Sequence, residues 1–514
     1  MKHIPSPLAL MALVAALCRP GDVFAQQAAP SSVPTVPEPL PISGAQQSGA
    51  VQTSQTVNGT NGGNTLTGSV QIQGTFQGST PIGIASGASL PLNLGDAVRR
   101  GLAYNLGVIG ATEIERYARA GQRDALARLL PDVSGTITAA VEQVSLATLG
   151  LQSAKGLPGF QFARVIGPFN FFEAGAVLNQ RVFDLTAIRN YRSTKETTTA
   201  AAHSVRDNRD LVVLGVGGSY LQAVTAAARV DSARAQLETA RAVYEQATRQ
   251  NQAGVNARID VDRSQVELQA QRLRMISLET DLATQKLALG RIIGLPLGQD
   301  VTLTTTMEYT PGPEMSLQDA LATAMASRAD LQAADAQVRA AREAREAAKA
   351  QNFPALAVNG SYLIAGVNPA QSNGVFSLFA SVDFPIWRGG QIQASVAAAE
   401  AVYAQRRAEY EDVRGRVDVE VRTALLRLAA TNEQVSVADS NRNLAQSTLL
   451  QARHRFGAGV ADTVEVVQAQ ESVATAEQDY ITSLYAHYVA KLALARATGD
   501  TEQGISNLLQ TRRP

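Results

Sequence analysis

The chain has 514 residues, and its 45 lysines and arginines are balanced by 45 aspartates and glutamates, so the formal net charge is zero. A nucleic acid partner is not expected, because proteins that bind the phosphate backbone carry an excess of basic residues. Cys18 is the single cysteine, which excludes a disulfide framework and a cysteine-based metal site.

Residues 1–25 have the composition of a signal peptide. A basic start and the apolar run 8–17 precede a small-residue site that ends at Ala25, which is the pattern of a cleaved export signal. A transmembrane anchor is disfavoured, because a spanning helix needs roughly 20 apolar residues. Lipidation of Cys18 is the weaker alternative, because Leu17 stands where a lipoprotein cleavage site needs a small residue. We therefore expect the mature protein outside the cytoplasm.

Residues 26–88 are rich in Gln, Ser, Thr, Gly and Pro, with Glu38 as the one charged residue and Phe76 as the one aromatic residue. So little apolar surface cannot offset the entropy lost when the chain is ordered. We expect a flexible low-complexity arm. The alternative is a capping or anchoring role for the weakly alternating segment SVQIQGTFQGS.

An internal repeat follows the arm. The expected domain organisation is therefore based on this repeat and not on the length of the chain. LGDAV at 94–98 matches LQDAL at 317–321, and QAGVNARIDV at 252–261 matches GAGVADTVEV at 457–466. Similar segments in the same order indicate that one structural unit occurs twice.

We expect the first repeat at residues 89–310, the second at 311–500 and a C-terminal tail at 501–514. Each repeat has the pattern of a helix, a strand, a loop, a strand, a very long helix, a glycine turn and a helix. Asn93 and Ser316 stand at equivalent positions immediately before the first helices, where each can cap free backbone N–H groups.

The middle of each repeat changes from helical periodicity to alternation of apolar and polar residues. The predicted strands are 131–146, 169–183, 354–366 and 375–387. Their length and alternation fit transmembrane β-strands with an apolar face toward lipid and a polar face toward a lumen. A half-buried sheet of a soluble domain would alternate in the same way. The signal peptide and the expected absence of any long apolar helix favour the outer membrane.

Four strands cannot close a barrel, and an open sheet edge in lipid leaves backbone groups without hydrogen-bond partners. Several chains must therefore share one barrel. Two chains would give eight strands around an interior filled by side chains, whereas three would give twelve strands around an open lumen.

The stretch 389–500 has helical periodicity, which is interrupted once at 456–460. Apolar and aromatic residues recur every seven positions in two series, which are Val396, Tyr403, Tyr410 and Val417, and Val466, Val473, Tyr480, His487 and Leu494. This is the heptad spacing of helices packed as a coiled coil. We expect a helix of roughly 65 residues, a turn whose left-handed backbone is supplied by Gly457 and Gly459, and a returning helix of roughly 35 residues.

Over about residues 90–500 the order of elements resembles that of the TolC family of outer-membrane efflux proteins. The resemblance is carried by the two-copy element order, the paired glycine turns, and the aromatic ends of the second strands at QRVFDL and FPIWRGG. It implies an α+β membrane protein. Its fold would be a trimeric 12-stranded transmembrane β-barrel, with four strands per chain, continued by a long periplasmic α-helical coiled-coil barrel.

The resemblance also implies a function and a location. The protein would be the exit duct of a tripartite efflux or type I secretion system, in the outer membrane of a Gram-negative bacterium and with a large periplasmic part. The implied partners are two further copies of the chain, outer-membrane lipid, a periplasmic adaptor (membrane fusion) protein and an inner-membrane pump of RND, ABC or MFS type. The alternative is a periplasmic coiled-coil structural or adhesive protein without a pore, which would have no use for strands of membrane-spanning length.

No enzymatic activity, cofactor or metal site is expected. The four histidines are scattered through the chain, and His487 falls on an apolar heptad position, which is typical of a packing residue. Gly215, Gly217 and Gly218 lie inside a helical pattern and not after a strand, which argues against a phosphate-binding loop.

The candidate functional residues lie in the two glycine turns. The resemblance assigns adaptor docking to the turn residues, which are Ala253, Gly254, Val255, Ala458, Gly459 and Val460. These glycines are also needed simply to end the long helices, so their presence alone does not establish docking.

Asp260 and Glu465 occupy equivalent positions six residues after Gly254 and Gly459, and the resemblance implies that acidic residues at these two positions line the gate. Threefold symmetry would turn each acid into a ring of three carboxylates, and such rings favour cations. A second constriction acid of the family would fall at Gln468, so we expect a weaker cation block there. The alternative is that both acids are solvated residues near helix N-termini, where the helix dipole favours them.

Overall fold

The computed structural model describes residues 50–55, 66–71, 76, 78–145, 165–255, 257–458, 460, 461 and 463–501. The predicted signal peptide and all of the predicted tail except Thr501 lie outside these residues. The chain divides into two compact units. The sheet unit contains the described residues of 126–185 and 352–386, and the helical unit contains the rest of the described chain.

The strands of the described chain are β1 (Ala50–Gln55), β2 (Leu66–Gln71), β3 (Leu90–Leu92), β4 (Asp132–Ser145), β5 (Val165–Phe183), β6 (Val301–Leu303), β7 (Ala355–Gly366) and β8 (Ser372–Asp383). Its helices are α1 (Leu94–Tyr104), α2 (Leu106–Ala127), α3 (Leu185–Gln252), α4 (Arg258–Ile292), α5 (Leu317–Ser327), α6 (Ala329–Ala350), α7 (Gln391–Gly457) and α8 (Thr463–Thr498). As predicted, Asn93 and Ser316 cap α1 and α5 by accepting hydrogen bonds from the backbone N–H groups of Asp96 and Asp319.

The sheet unit is built on one antiparallel sheet in the order β4–β5–β7–β8. These are the four predicted strands, and the bounds of the first three agree with the prediction to within four residues. The last strand ends at Asp383, and the prediction that it continues to residue 387 is wrong. The physical reason is Pro385, which has no N–H group to donate to a strand ladder.

The register places the predicted apolar alternation of all four strands on one face of the sheet. Gly135 pairs with Ala176, Ala176 pairs with Tyr362, and Tyr362 pairs with Phe376, and directly paired residues point to the same face. The opposite face carries polar pairs such as Ser361 and Ser377, whose hydroxyl oxygens are 2.7 Å apart. The sheet therefore has one apolar face and one largely polar face.

The helical unit contains two helices of extreme length, each followed by a shorter helix. α3 has 68 residues and α4 has 35, while α7 has 67 and α8 has 36. The lengths predicted for the second pair are thus confirmed. At 1.5 Å per residue α3 and α7 are each roughly 100 Å long.

α3 passes through the core of the helical unit. Of the described helices it alone is long and apolar enough to cross a membrane, but most of its apolar stretch is buried. Val213, Val216 and Tyr220 are fully buried there, and Gly101 of α1 packs so closely that a Cβ atom on it would lie 2.5 Å from Val216 Cγ2. The expectation that the chain has no long apolar helix is therefore wrong. The apolar residues of α3 are mostly buried against neighbouring helices, as in a core helix.

Part of the predicted arm has defined structure. β1 pairs with β2 in an antiparallel hairpin, and the ring of Phe76 is buried in the helical core beside Gly107. Asn105 Nδ2 donates a hydrogen bond of 2.7 Å to the carbonyl oxygen of Phe76. At these residues the structure differs from the expected flexible arm, because its one aromatic side chain is held by the core.

His487 is a packing residue, as predicted, and it contacts Thr310 in the segment that joins the two repeats. It is fully buried, with Nε2 3.0 Å from the carbonyl oxygen of Thr310. Lys491 Nζ donates to Thr310 Oγ1 at 2.7 Å. Burial lowers the pKa of His487 and lowers the pKa of Lys491 to about 8. The imidazole is therefore neutral at neutral pH, as a buried hydrogen-bonding side chain should be.

Buried ion pairs join the helices of this unit. Arg328, at the junction of α5 and α6, is 2% exposed and binds Asp330 through two hydrogen bonds, Nε to Oδ1 at 2.9 Å and Nη2 to Oδ2 at 2.7 Å. Its Nη1 donates to Glu420 of α7. Nearby, Arg496 of α8 donates to Asp207 of α3.

Candidate functional site

The two turns that follow α3 and α7 share one pattern of backbone hydrogen bonding. The N–H group of Val255 donates to the carbonyl oxygen of Gln250 at 2.9 Å, and that of Val460 donates to the carbonyl oxygen of Arg455 at 3.0 Å. A hydrogen bond to the fifth preceding residue is the helix-ending pattern that requires a left-handed residue. In the first turn that residue is Gly254, with φ +73°.

The second turn corrects one detail of the sequence analysis. Gly457 is the last residue of α7 and does not have a positive φ, so the prediction that it supplies left-handed backbone is wrong. Helical hydrogen bonding continues past it, since Ala458 N–H donates to the carbonyl oxygen of His454 at 3.0 Å. Gly459, the other residue assigned this role, lies outside the described residues.

Each turn presents one apolar side chain. Val255 is 66% exposed and Val460 is 71% exposed. Single exposed valines are common on protein surfaces. These two differ from others because each follows a very long helix and donates the same kind of backbone hydrogen bond. The predicted docking residues of the described chain therefore form two similar surface features.

A small apolar cluster supports the second turn from within the helical unit. It contains Val243 of α3, Ala452 and Phe456 of α7, and Val466 and Ala469 of α8. These residues are buried while Val460 is exposed, so the cluster packs together the helices on both sides of the turn.

The structure gives each predicted gate acid a specific partner. Asp260 Oδ1 accepts a hydrogen bond of 3.0 Å from Thr463 Oγ1, which joins the first turns of α4 and α8. Glu465 Oε1 lies 3.5 Å from Arg455 Nε across the second turn. Gln468 is exposed one helical turn beyond Glu465.

Thr463 and Arg455 were not predicted as functional residues. The sequence did contain a sign of the contact between Arg455 and Glu465. Arg455 is a basic residue in the last turn of one helix, and Glu465 is an acid in the first turn of the next. No comparable signal existed for Thr463, whose partner Asp260 is 203 residues away in the sequence.

The apolar face of the sheet is a second candidate functional surface. Its large side chains are exposed on both outer strands, including Ile137 and Val141 on β4 and Phe376 and Leu378 on β8. Extended apolar surfaces of this kind mark contact with lipid or with protein. Among the described residues, no group of three or more His, Cys, Asp or Glu side chains could hold a metal ion.

Comparison with known proteins gives consistent similarities. The family model described as outer membrane efflux protein matches residues 109–295 and 320–500. The cation efflux system protein CusC of Escherichia coli K12 is 24% identical over 319 residues, which are 60% of this chain and 67% of CusC. The pyoverdine export outer membrane protein OpmQ of Pseudomonas aeruginosa is 24% identical over 414 residues, which are 79% of this chain and 85% of OpmQ.

The fold is also similar to solved structures. The crystal structure of the CmeC outer membrane channel of Campylobacter jejuni matches with a TM-score of 0.69 at 15% identity, covering 90% of this chain and 98% of that one. The MtrE outer membrane channel of Neisseria gonorrhoeae matches with a TM-score of 0.67 at 16% identity, covering 88% and 98%. The arrangement of strands and long helices is thus that of known outer-membrane channels.

Proposed function

Because the chain belongs to the outer membrane efflux protein family, we propose that three copies of it close one transmembrane barrel of twelve strands. The chain is an outer-membrane efflux channel. Channels of this family form trimers and work with an adaptor and an inner-membrane pump, and they are not enzymes. Family membership does not favour the alternative of a coiled-coil protein without a pore.

The observation that carries the proposal is the four-stranded sheet with its exposed apolar face. In the described chain β4 and β8 are the outer strands, and they are 14 and 12 residues long, sufficient to cross the bilayer when tilted. Lipid tolerates no open edge, so β4 of one chain must pair with β8 of another. Three sheets would enclose an open lumen lined by the polar face.

We expect Ile137→Arg to prevent insertion of the trimer, since this side chain is exposed on the apolar face of β4. An arginine at the lipid face near the bilayer midplane costs about 2–4 kcal/mol per chain. The matched control is Thr136→Arg, its neighbour on the polar face, which should leave the amount of trimer unchanged and alter conductance. Heat-modifiable migration of outer-membrane fractions on gels measures insertion. Equal insertion of both variants would contradict the assignment of faces.

For the two helical turns we propose adaptor docking. Ala253, Gly254 and Val255 would form one docking tip, and Ala458, Gly459 and Val460 the other. Support comes from the shared turn geometry and the two exposed valines. In the trimer these turns would lie at the periplasmic end of a helical barrel built from α3, α4, α7 and α8 of each chain.

We also propose that Asp260 and Glu465 line the gate of the channel. The partners of the two acids differ, because Asp260 binds the neutral hydroxyl of Thr463 whereas Glu465 faces the cationic Arg455. Arg455 would offset part of the charge of the Glu465 ring. The ring of Asp260 would therefore contribute more to cation preference, and Gln468 would contribute none.

Asp260→Asn is expected to reduce cation selectivity more than Glu465→Gln. Removal of one charge near a permeating ion changes its energy by about 1 kcal/mol, or about fivefold in occupancy. Gln468→Glu is the complementary variant, and it should increase cation selectivity and block by multivalent cations. Reversal potentials and single-channel currents in planar bilayers measure both effects. The ring would be disproved by unchanged selectivity in the Asp260→Asn, Glu465→Gln double variant.

Relatives of this family are named for the export of different compounds. One relative is named for cation efflux and another for pyoverdine export, although both match this chain at the same identity. We propose that cargo is selected by the pump and adaptor, with the channel as a passive duct. The transporter genes adjacent to this one are the most direct source for the identity of the cargo.

A further inference from the structure

A cavity of about 350 Å³ lies inside the helical unit and is lined by residues of α3, α4, α7 and α8. It is distinct from both turns and from the gate acids, none of which line it. Its lining combines glutamine, glutamate, serine and threonine side chains with alanine, leucine, valine and isoleucine, and includes no lysine, arginine or histidine. A cavity with carboxylates and without cationic side chains favours a positively charged ligand.

Three glutamines in the wall carry amide atoms without a hydrogen-bond partner in the described chain. Gln470, which is 7% exposed, has neither Nε2 nor Oε1 paired, and Gln271, which is 8% exposed, has Oε1 unpaired. Oε1 of Gln236 is also unpaired. Nearly all buried polar atoms of folded proteins have a partner. Gln236, Gln271 and Gln470 therefore bring unpaired amide atoms from three helices to the wall of one cavity, where a polar ligand would supply the missing partners.

The chemistry of the wall defines the occupant. Gln271 Nε2 donates to Glu267 Oε1 at 2.7 Å, which fixes the amide orientation and leaves its oxygen as the unpaired atom. Glu477 also lines the cavity and accepts a hydrogen bond of 2.6 Å from Gln446 Nε2. The unpaired atoms of the wall are thus three amide oxygens and one donor, Gln470 Nε2, and two carboxylates also line the cavity. An excess of acceptors together with negative charge favours a ligand with positive charge and several donors.

We propose that this cavity binds an organic cation with several N–H donors, of the polyamine class. A metal ion is disfavoured, because the described residues contain no group of three or more metal-ligating His, Cys, Asp or Glu side chains. Since the wall is shared by both long helices and their returning partners, the bound cation would link the α3–α4 pair to the α7–α8 pair. The proposal does not depend on the barrel, the docking tips or the gate.

The test is calorimetric titration of the purified full mature channel in detergent with spermidine. Saturable binding of one spermidine per chain is expected. Gln470→Leu should weaken it at least tenfold without lowering Tm, because leucine removes only the unpaired amide. Glu477→Gln provides a second variant should the leucine disturb packing, and it should also weaken binding tenfold. The control is Glu471→Gln, an exposed acid of α8 outside the cavity, which should bind as the unaltered chain does.

Magnesium chloride at equal ionic strength separates site binding from general attraction to acids. The proposal predicts that Mg²⁺ neither gives a saturable site nor displaces spermidine. It is overturned if spermidine binding is not saturable, if Glu471→Gln weakens binding as much as Glu477→Gln does, or if Mg²⁺ displaces spermidine at equal ionic strength.

Discussion

Val255→Asp combined with Val460→Asp is expected to abolish export while leaving the trimer in the outer membrane. Both side chains are exposed at the proposed docking tips, and their replacement disturbs no packing within the chain. A carboxylate buried against an apolar partner surface would cost about 2 kcal/mol or more at each position, as at other interface hot spots. With three chains per channel, the adaptor would lose six such contacts. Export of a fluorescent pump substrate from whole cells measures the effect.

Val266→Asp is the matched control for this experiment. Val266 lies on α4 beyond the turn and is 70% exposed, so it tests the effect of an exposed charge away from the proposed docking surface. We expect normal export in this variant and normal amounts of trimer in all variants. Normal export in the double variant at the tips would place adaptor docking elsewhere.

Arg328→Met is expected to cause the largest loss of stability in the helical unit, about 3–5 kcal/mol. The substitution leaves Asp330, which is 3% exposed, as a buried carboxylate without its guanidinium partner. The control is Arg116→Met on α2, where the ion pair with Glu113 is exposed and spans 2.7 Å, and where the loss should be below about 1 kcal/mol. Urea denaturation followed by circular dichroism compares the two variants.

The same variant should reverse the dependence of stability on pH. Burial raises the pKa of Asp330, but the hydrogen bonds and charge of Arg328 outweigh this effect and hold the pKa below its ordinary value of 3.8. The stability that ionised Asp330 contributes is therefore present above about pH 4 and is lost as the pH falls through its lowered pKa.

Without Arg328, burial, which is the largest single effect on the pKa of Asp330, is opposed only by the charge of Arg496 and the hydrogen bond from the Leu331 N–H group, so this pKa should rise. Protonation would then relieve the buried charge, and the stability of Arg328→Met should increase as the pH falls from about 7 toward 4. Burial raises the pKa of Asp207, and the charge of Arg328 lowers it in part. Loss of Arg328 should therefore raise the pKa of Asp207 further, which changes the pH dependence in the same direction as Asp330 does. Parallel pH profiles of the variant and the unaltered chain would show that Arg328 does not hold Asp330 ionised.

The elements with many regular periods could be predicted from the sequence. α7 and α8 repeat their apolar residues over whole heptads, and β4, β5, β7 and β8 alternate over at least 12 residues each. When a pattern repeats this many times, only one type of secondary structure places all of the apolar residues on the same face. The end of β8 was missed because alternation continues through Phe384 and Ile386, although Pro385 prevents further ladder bonding.

Features that depend on single contacts between distant residues could not be predicted. β3 and β6 are three residues each and pair in parallel across more than 200 residues of sequence, so neither shows a period. Phe76 stands out as the one aromatic residue of the arm, but nothing in the sequence around it shows that the helical core buries its ring. The same limit applies to Arg328 and Glu420, which meet only because α6 and α7 pack together.

For the candidate site, the positions of the turns followed from the repeated glycines and from the ends of the helical pattern. The contacts of Asp260 with Thr463 and of Glu465 with Arg455 required the packing of the helices. The cavity at Gln470 and Gln271 was also not foreseen, because glutamine on a helix is normally a solvated surface residue.

The native mass of the full mature protein, extracted from outer membranes in detergent, tests the central claim most directly. The proposed shared barrel predicts a particle of three chains, about three times the mass of one mature chain after detergent is subtracted. The same particle should open a channel in a planar bilayer. A stable and soluble monomer after signal removal, with its apolar sheet face exposed to water, would contradict it.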